Sequence, residues 1–212
     1  MMRRRTLLAL AALAATPAWA QDPTTPPAAP PAAKPNPRVR LETPEGSIVI
    51  ELYADKAPVT AANYLRYVDR GLFNGSSFYR ASQPPGYTAN DYGVVQGGLQ
   101  NDPKKLLAPI AHEPNTKTGI LHTDGVISMG RRAPGTATAD WFICVGKQDY
   151  LDADPKDPKN PGFAAFGQVV EGMDVVRKLL VMPKDPNKGE GAMKGEMLVK
   201  PVRITKASRV TS

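Results

Sequence analysis

The side chains of this 212-residue chain that could break covalent bonds stand in the wrong company for it. Cys144 is the only cysteine, and it lies in the apolar run Trp141-Phe142-Ile143-Cys144-Val145, the setting of a buried small hydrophobe rather than of a nucleophile. A single thiol also excludes an intramolecular disulfide. The two histidines, His112 and His122, lack the clustered His/Cys/Asp spacing of a zinc centre or a metalloprotease helix. No metal site and no cofactor are therefore predicted. Two polar features remain. Arg80 ends the run Phe78-Tyr79-Arg80 and, taken by itself, reads as a solvated charge on a strand. Gln96 precedes Gly97-Gly98; its amide can donate and accept at once, which suits either a ligand or an otherwise unsatisfied core.

The elements that must position these groups are mostly short strands. Ser47-Ile48-Val49-Ile50-Glu51-Leu52 is β-branched, and the turn signal Pro44-Glu45-Gly46 pairs it with Val39 to Leu41 as a hairpin. Pro58 suits a first helical position; Val59, Ala62, Leu65 and Val68 follow at threefold spacing, and Gly71 supplies the stop. A second helix is predicted from Met173 to Leu180, with Val175, Val176 and Leu179 as its stripe and Pro183 as its end. Val202-Arg203-Ile204-Thr205 alternates as a half-buried strand near the C-terminus. Composition and periodicity thus give an all-β fold with two helices, an antiparallel barrel or sandwich.

The ends of the chain add a setting. Arg3, Arg4 and Arg5 precede an apolar run from Leu7 to Ala15 and the small-x-small site Ala18-Trp19-Ala20, which predicts a cleaved signal peptide over 1–20. The run is far short of the roughly 20 residues needed to span a bilayer, so no stable membrane insertion is expected. The paired arginines leave a twin-arginine route open beside the general one. Residues 21–37 are rich in Pro and Ala and predict a disordered, polyproline-like linker. Residues 38–212 suffice for one domain, located in the periplasm or secreted after cleavage near Ala20. The formal charge is +7, of which the three leader arginines supply three, leaving +4 on a chain with mixed signs. That is ordinary solubility, and no aromatic and basic platform for nucleic acid accompanies it. A monomer is expected.

Four ordered segments give a resemblance: Gly46-Ser47-Ile48-Val49-Ile50-Glu51-Leu52 with Ala57-Pro58 and Asn63; Phe78-Tyr79-Arg80; Val95-Gln96-Gly97-Gly98; and Ile127-Ser128-Met129-Gly130 followed by Trp141-Phe142-Ile143. Leu151-Asp152 and the stretch from Phe163 to Val176 agree with them. Together they resemble the cyclophilin family of peptidyl-prolyl cis/trans isomerases. The resemblance implies a closed eight-stranded antiparallel barrel capped by two helices, with peptide bound in an outer groove because side chains fill so small a barrel. It implies an isomerase acting on proline-containing segments of unfolded or folding proteins. Arg80 corresponds to the catalytic arginine and Gln96 to the glutamine that meets the peptide backbone, with Gly97 and Gly98 letting that backbone approach. Val94, Phe142, Leu151 and Phe163 map onto the wall of the proline pocket. Met129, Gly130 and Arg131 map onto further substrate contacts, the last two through backbone groups. Tyr150 replaces a tryptophan whose indole N–H binds the inhibitor cyclosporin in many relatives.

Arg80, Gln96 and Phe142 argue for the enzyme, while departures from the pattern keep an alternative beside it, a catalytically weak module of the same fold that binds proline-containing segments. Gly93 replaces a pocket phenylalanine, which leaves Tyr87 or Tyr92 to close the pocket. Asp140 replaces a glutamine and adds a negative charge able either to orient Arg80 as an ion pair or to tie it up.

Overall fold

The structure is a computed structural model and describes residues 35–210 apart from Pro158. The expected signal peptide and all but the last three linker residues lie outside the described residues. The domain opens with the expected hairpin, β1 (Arg38–Thr43) and β2 (Gly46–Leu52), in register from Thr43 opposite Gly46 to Arg38 opposite Glu51. Helix α1 (Pro58–Asp69) follows. Its buried stripe differs from the expected one: Val59 and Ala62 face outward, while Ala61, Tyr64, Leu65, Tyr67 and Val68 face inward. The two tyrosines carry more apolar area than the residues displaced, so they decide which face is buried. Residue Ala57 offers no capping side chain to α1. The buried Glu113 takes that role from 53 residues away, accepting the Thr60 N–H at 2.8 Å and the Thr60 hydroxyl at 2.7 Å, as a carboxylate should at a helix N-terminus.

The remaining elements are β3 (Ser77–Ser82), β4 (Gly93–Gly98), α2 (Asn115–Thr118), β5 (Val126–Met129), β6 (Trp141–Val145), β7 (Ala164–Glu171), α3 (Met173–Leu180), β8 (Lys184–Asp185), β9 (Met197–Arg203) and β10 (Lys206–Val210). Short 3-10 turns cover Asp149–Leu151 and Gly191–Met193. Among the described residues no helix is long and apolar enough to cross a membrane.

The expected closed eight-stranded barrel needs correction. The ladder has ten strands in the open order β10-β1-β2-β7-β5-β6-β4-β3-β9-β8. The final strand breaks where one was expected to run on, at Ile204-Thr205, because it serves two neighbours. The Ile204 N–H donates to Ser76 O and the Thr205 N–H to Glu42 O, both at 2.8 Å, so the segment leaves β3 and continues beside β1. The very short β8 adds a further edge. Among the described residues a third helix, the single turn α2, joins the two expected ones.

One aromatic group fills the inner face. Trp141 lies edge-on to Phe78 at 5.2 Å and to Tyr64 at 6.1 Å, and Tyr64 meets Phe73 at 5.1 Å and Phe166 at 5.3 Å. All five are at most 1 % exposed. The indole has room because Gly97 lies opposite Trp141: a Cβ at that glycine would sit 2.8 Å from the ring. Gly97 therefore serves core packing rather than the approach of a peptide, which corrects the expectation for it.

Candidate active site

Strand alternation divides β4 and β6 between two faces. Val95 on β4 and Trp141, Ile143 and Val145 on β6 join the main core, whereas Val94, Phe142 and Cys144 form a separate cluster with Leu151, against which Phe163 packs. Phe142 is the centre of this outer cluster. Phe163 meets it edge-on at 5.4 Å, and the ring of His122 lies nearly parallel to it at 6.1 Å. Four residues expected at the proline pocket, Val94, Phe142, Leu151 and Phe163, are thus brought together. Cys144 belongs to the same apolar cluster, and burial pushes its thiol pKa up, as suits an inert side chain.

Arg80 reaches this face through a bulge. In a regular strand, residues 78 and 80 would share a side. Here Phe78 pairs with Gly97 and Arg80 with Gln96, with an irregularity between them, so Phe78 points into the core while Arg80 points outward. Bulges re-aim side chains in this way. The Arg80 Nη1 donates to Gln96 Oε1 at 2.7 Å. Gln96 lies opposite Phe142 in the ladder, so the polar pair borders the apolar cluster directly.

The pair stands within a longer chain of hydrogen bonds. Gln96 Nε2 donates to the Tyr79 hydroxyl at 2.7 Å, which donates to Asp140 Oδ1 at 3.2 Å. Burial raises the Tyr79 pKa, and the neighbouring Asp140 charge adds to the rise, so the phenol keeps its proton. Burial also raises the Asp140 pKa, opposed by the backbone N–H groups of Gln100 and Asn101 at 2.8 and 3.0 Å. Asp140 was expected to pair with Arg80 and does not. Its oxygens are taken by the loop amides and Tyr79, and the carboxylate on Arg80 is Glu196, with Oε2 at 2.6 Å from Nη2 and 2.8 Å from Nε. Glu196 was missed in the sequence. It lies 116 residues from Arg80, and only the pairing of β3 with β9 joins them. Tyr79 could have been noticed as the neighbour of Arg80: simple alternation already turns it away from the core-facing Phe78.

The other expected contacts divide. Gly130 and Arg131 line a cavity of about 580 Å³ with Gln96, Tyr79 and Asp140. The Gly130 N–H is already given to Asp140 O at 2.8 Å, so it is not free to serve as the expected donor. The Arg131 guanidinium covers the Phe163 ring at 4.6 Å and donates to the Gly162 carbonyl. Burial lowers its pKa, yet a guanidinium stays charged. Met129 does not reach this face: it is 1 % exposed within the inner core. Tyr150 is 62 % exposed at a smaller cavity of about 230 Å³ beside Tyr92, Gly93 and Gln148.

Gly93 leaves no hole in the apolar cluster. Its φ is +147°, and a Cβ would sit 2.3 Å from the Ser82 carbonyl and 3.0 Å from Leu180, so the backbone itself occupies that space. Tyr92 stacks edge-on with Tyr87 at the smaller cavity instead of closing over Phe142.

Beneath Phe142 runs a second polar chain. His122 Nδ1 lies 2.7 Å from Asp152 Oδ1, and Nε2 lies 2.9 Å from Ser128 Oγ. Burial lowers the His122 pKa more than Asp152 raises it, so the ring is neutral at pH 7. A carboxylate only accepts, which places the proton on Nδ1 and makes Nε2 the acceptor of the serine hydroxyl. His122 and Ser128 are fully buried. The chain supports the ring of Phe142 from below, and only Asp152 at its end is partly exposed.

A family model described as cyclophilin type peptidyl-prolyl cis-trans isomerase/CLD matches residues 38–209. The chain is 35 % identical over 151 residues to a peptidyl-prolyl cis-trans isomerase of Acinetobacter baylyi, covering 70 % of this chain and 74 % of that one. It is 37 % identical over 144 residues to peptidyl-prolyl cis-trans isomerase B of Escherichia coli, covering 66 % and 82 %. Among solved structures, a cyclophilin type peptidyl-prolyl cis-trans isomerase of Cryptosporidium parvum aligns over 84 % of this chain and 99 % of its own with a TM-score of 0.65, at 17 % identity, which speaks for the fold alone. Sequence family, fold and the arginine–glutamine pair beside an outer apolar cluster agree, and the chain belongs to the cyclophilin-type peptidyl-prolyl cis-trans isomerases.

Proposed function

We propose that this protein accelerates rotation about X-Pro bonds in proline-containing segments, with Arg80 as the catalytic residue. The observation that carries this is the 2.7 Å cross-strand pair of Arg80 and Gln96 at the edge of the Val94, Phe142, Leu151 and Phe163 cluster. Amide resonance sets a rotation barrier of about 18 to 20 kcal/mol, and no covalent bond breaks during the rotation. A catalyst therefore needs only to bind the twisted amide better than either planar form. In the twisted form the prolyl nitrogen recovers a lone pair that can accept a hydrogen bond from Arg80. The apolar cluster holds the proline ring, Gln96 holds the flanking backbone, and Arg131 lies beside it over Phe163.

Rate should vary little between about pH 6 and 8, because the rotation transfers no proton. Replacing Arg80 by Ala removes most turnover while peptide affinity changes little, since its bond forms chiefly in the transition state. Arg80→Lys stays poor, because an ammonium lacks the planar set of donors. Equal losses of rate and affinity in Arg80→Ala would sink the role. Binding without turnover loses support at Asp140, which does not engage Arg80, and at Gly93 the backbone leaves no room for the side chain the resemblance implies.

The setting we propose is bacterial export to the periplasm or beyond, supported by Arg3 to Arg5 and Ala18-Trp19-Ala20. Mass analysis of the exported protein should find Gln21 at the N-terminus; an intact Met1 start would refute it.

A further inference from the structure

The carboxylate on Arg80 raises a functional question, because it could either aim the guanidinium or withdraw it from a substrate. A guanidinium carries five N–H donors in a fixed plane. Glu196 Oε2 takes Nε–H at 2.8 Å and one Nη2–H at 2.6 Å, and Gln96 Oε1 takes one Nη1–H at 2.7 Å. Three donors are engaged, leaving one on each terminal nitrogen for a ligand. Holding one edge and one further nitrogen removes rotation about the last side-chain bonds while leaving donors free.

Glu196 is itself held. Its Oε1 accepts from Ser82 Oγ at 2.5 Å, its carbonyl accepts the Ala81 N–H at 3.0 Å, and its N–H donates to Met193 O at 3.2 Å. Those backbone bonds do not depend on its side chain, so the segment stays in place when the carboxylate is removed. The side chains of Arg80 and Glu196 are 18 % and 22 % exposed, which leaves the contact only partly open to competing water.

We infer that Glu196 is a positioning residue for this isomerase: it fixes the Arg80 guanidinium so that the free Nη donors meet the prolyl nitrogen as the amide twists. This rests on the assignment of Arg80 above. A group already aimed needs no reorganisation in the transition state, and small misplacements of such a group can cost on the order of a hundredfold in rate.

The experiment is a kinetic cycle on the full chain with Arg80→Ala, Glu196→Ala, Glu196→Gln and the double variant Arg80→Ala/Glu196→Ala, each checked for an unchanged melting temperature. Turnover of a short Ala-Ala-Pro-Phe peptide is resolved into kcat and KM. Glu196→Ala should lower kcat about tenfold with KM nearly unchanged, and Glu196→Gln, which keeps shape and an acceptor oxygen, should recover part of it. The double variant should be no slower than Arg80→Ala alone, because Glu196 acts only through the arginine. An unchanged or raised kcat in Glu196→Ala would overturn the inference, the raised value marking a carboxylate that competes with substrate. A further loss on top of Arg80→Ala would also overturn it. If Arg80→Ala itself keeps full turnover, the assignment of Arg80 falls; if it loses turnover while Glu196→Ala does not, only the positioning role falls.

Discussion

Trp141 and Phe142 are neighbours on one strand, equally aromatic and almost equally buried, yet they belong to different parts of the molecule. Trp141 points into the main core against Phe78, Tyr64 and Gly97. Phe142 points the other way, into a cluster of five side chains on the outer face, beside Arg80 and Gln96. The inner group holds the sheet together, and the outer group is where we propose that a proline ring rests. Alternation along a strand lets one short sequence do both, so stability and function should separate when its two faces are altered one at a time.

Trp141→Ala should give the largest effect. Removing a fully buried indole typically costs about 3 to 5 kcal/mol, so the urea midpoint should fall steeply and activity with it. A loss of turnover at unchanged stability would break the division between faces. On the outer face, Tyr150→Trp tests the exposed rim at 62 % exposure. If cyclosporin meets this position as the family resemblance implies, the phenol leaves an inhibitor carbonyl unpaired. Restoring the indole N–H should regain about 1 to 3 kcal/mol, roughly tenfold to a hundredfold in inhibition. Peptide turnover should stay almost unchanged. Nanomolar inhibition of the unmutated protein, or no gain in the variant, would remove Tyr150 from that role.

Phe142→Ala comes next. Losing the apolar contact with a proline ring is worth about 1 to 2 kcal/mol, roughly a tenfold rise in KM. KM should rise more than kcat falls, and the melting temperature should drop less than in Trp141→Ala, because Phe142 packs in the small outer cluster and not in the main core. Loss of stability equal to that of Trp141→Ala would show Phe142 to be core.

The smallest effect concerns pH and the polar chain beneath Phe142. Burial lowers the His122 pKa, so below about pH 6.5 the unfolded chain binds a proton that the folded one resists. Stability should therefore fall as pH drops from about 7, until the lowered folded value is reached. Asp140 has the opposite sign: its raised pKa makes the folded state bind the proton more readily, so its contribution is lost as pH rises through that folded value. His122→Gln should flatten the decline of the urea midpoint below about pH 6.5. A midpoint independent of pH in the unmutated protein would contradict the sign given for His122.

What the sequence showed and what it hid differ by range. The first hairpin and both longer helices follow from local signals: Pro44-Glu45-Gly46 at a turn, Pro58 at a helix start, and Val175, Val176 and Leu179 at helical spacing. Alternation alone could not say which of Trp141 and Phe142 faces outward, because both are apolar and the deciding neighbour, Gly97, lies on another strand. The bulge that turns Arg80 away from Phe78 has no signature in Phe78-Tyr79-Arg80. Met129 was expected at the groove and lies in the core, since motif order does not fix facing. Glu196, Tyr79 and the cap that Glu113 places on α1 join segments far apart in the chain and become visible only when the sheet assembles.

The central claim, that Arg80 on the outer face turns binding into catalysis, is tested most directly by measuring cis–trans exchange of an Ala-Ala-Pro-Phe peptide at equilibrium by NMR, with the full chain and with Arg80→Ala, while peptide binding is followed by chemical-shift titration. Uncatalysed exchange takes tens to hundreds of seconds. The unmutated protein should bring it into the range of direct exchange spectroscopy, and Arg80→Ala should lose about a hundredfold or more of that acceleration while still binding the peptide. Binding by the unmutated protein without faster exchange, or equal acceleration by Arg80→Ala, would contradict the claim.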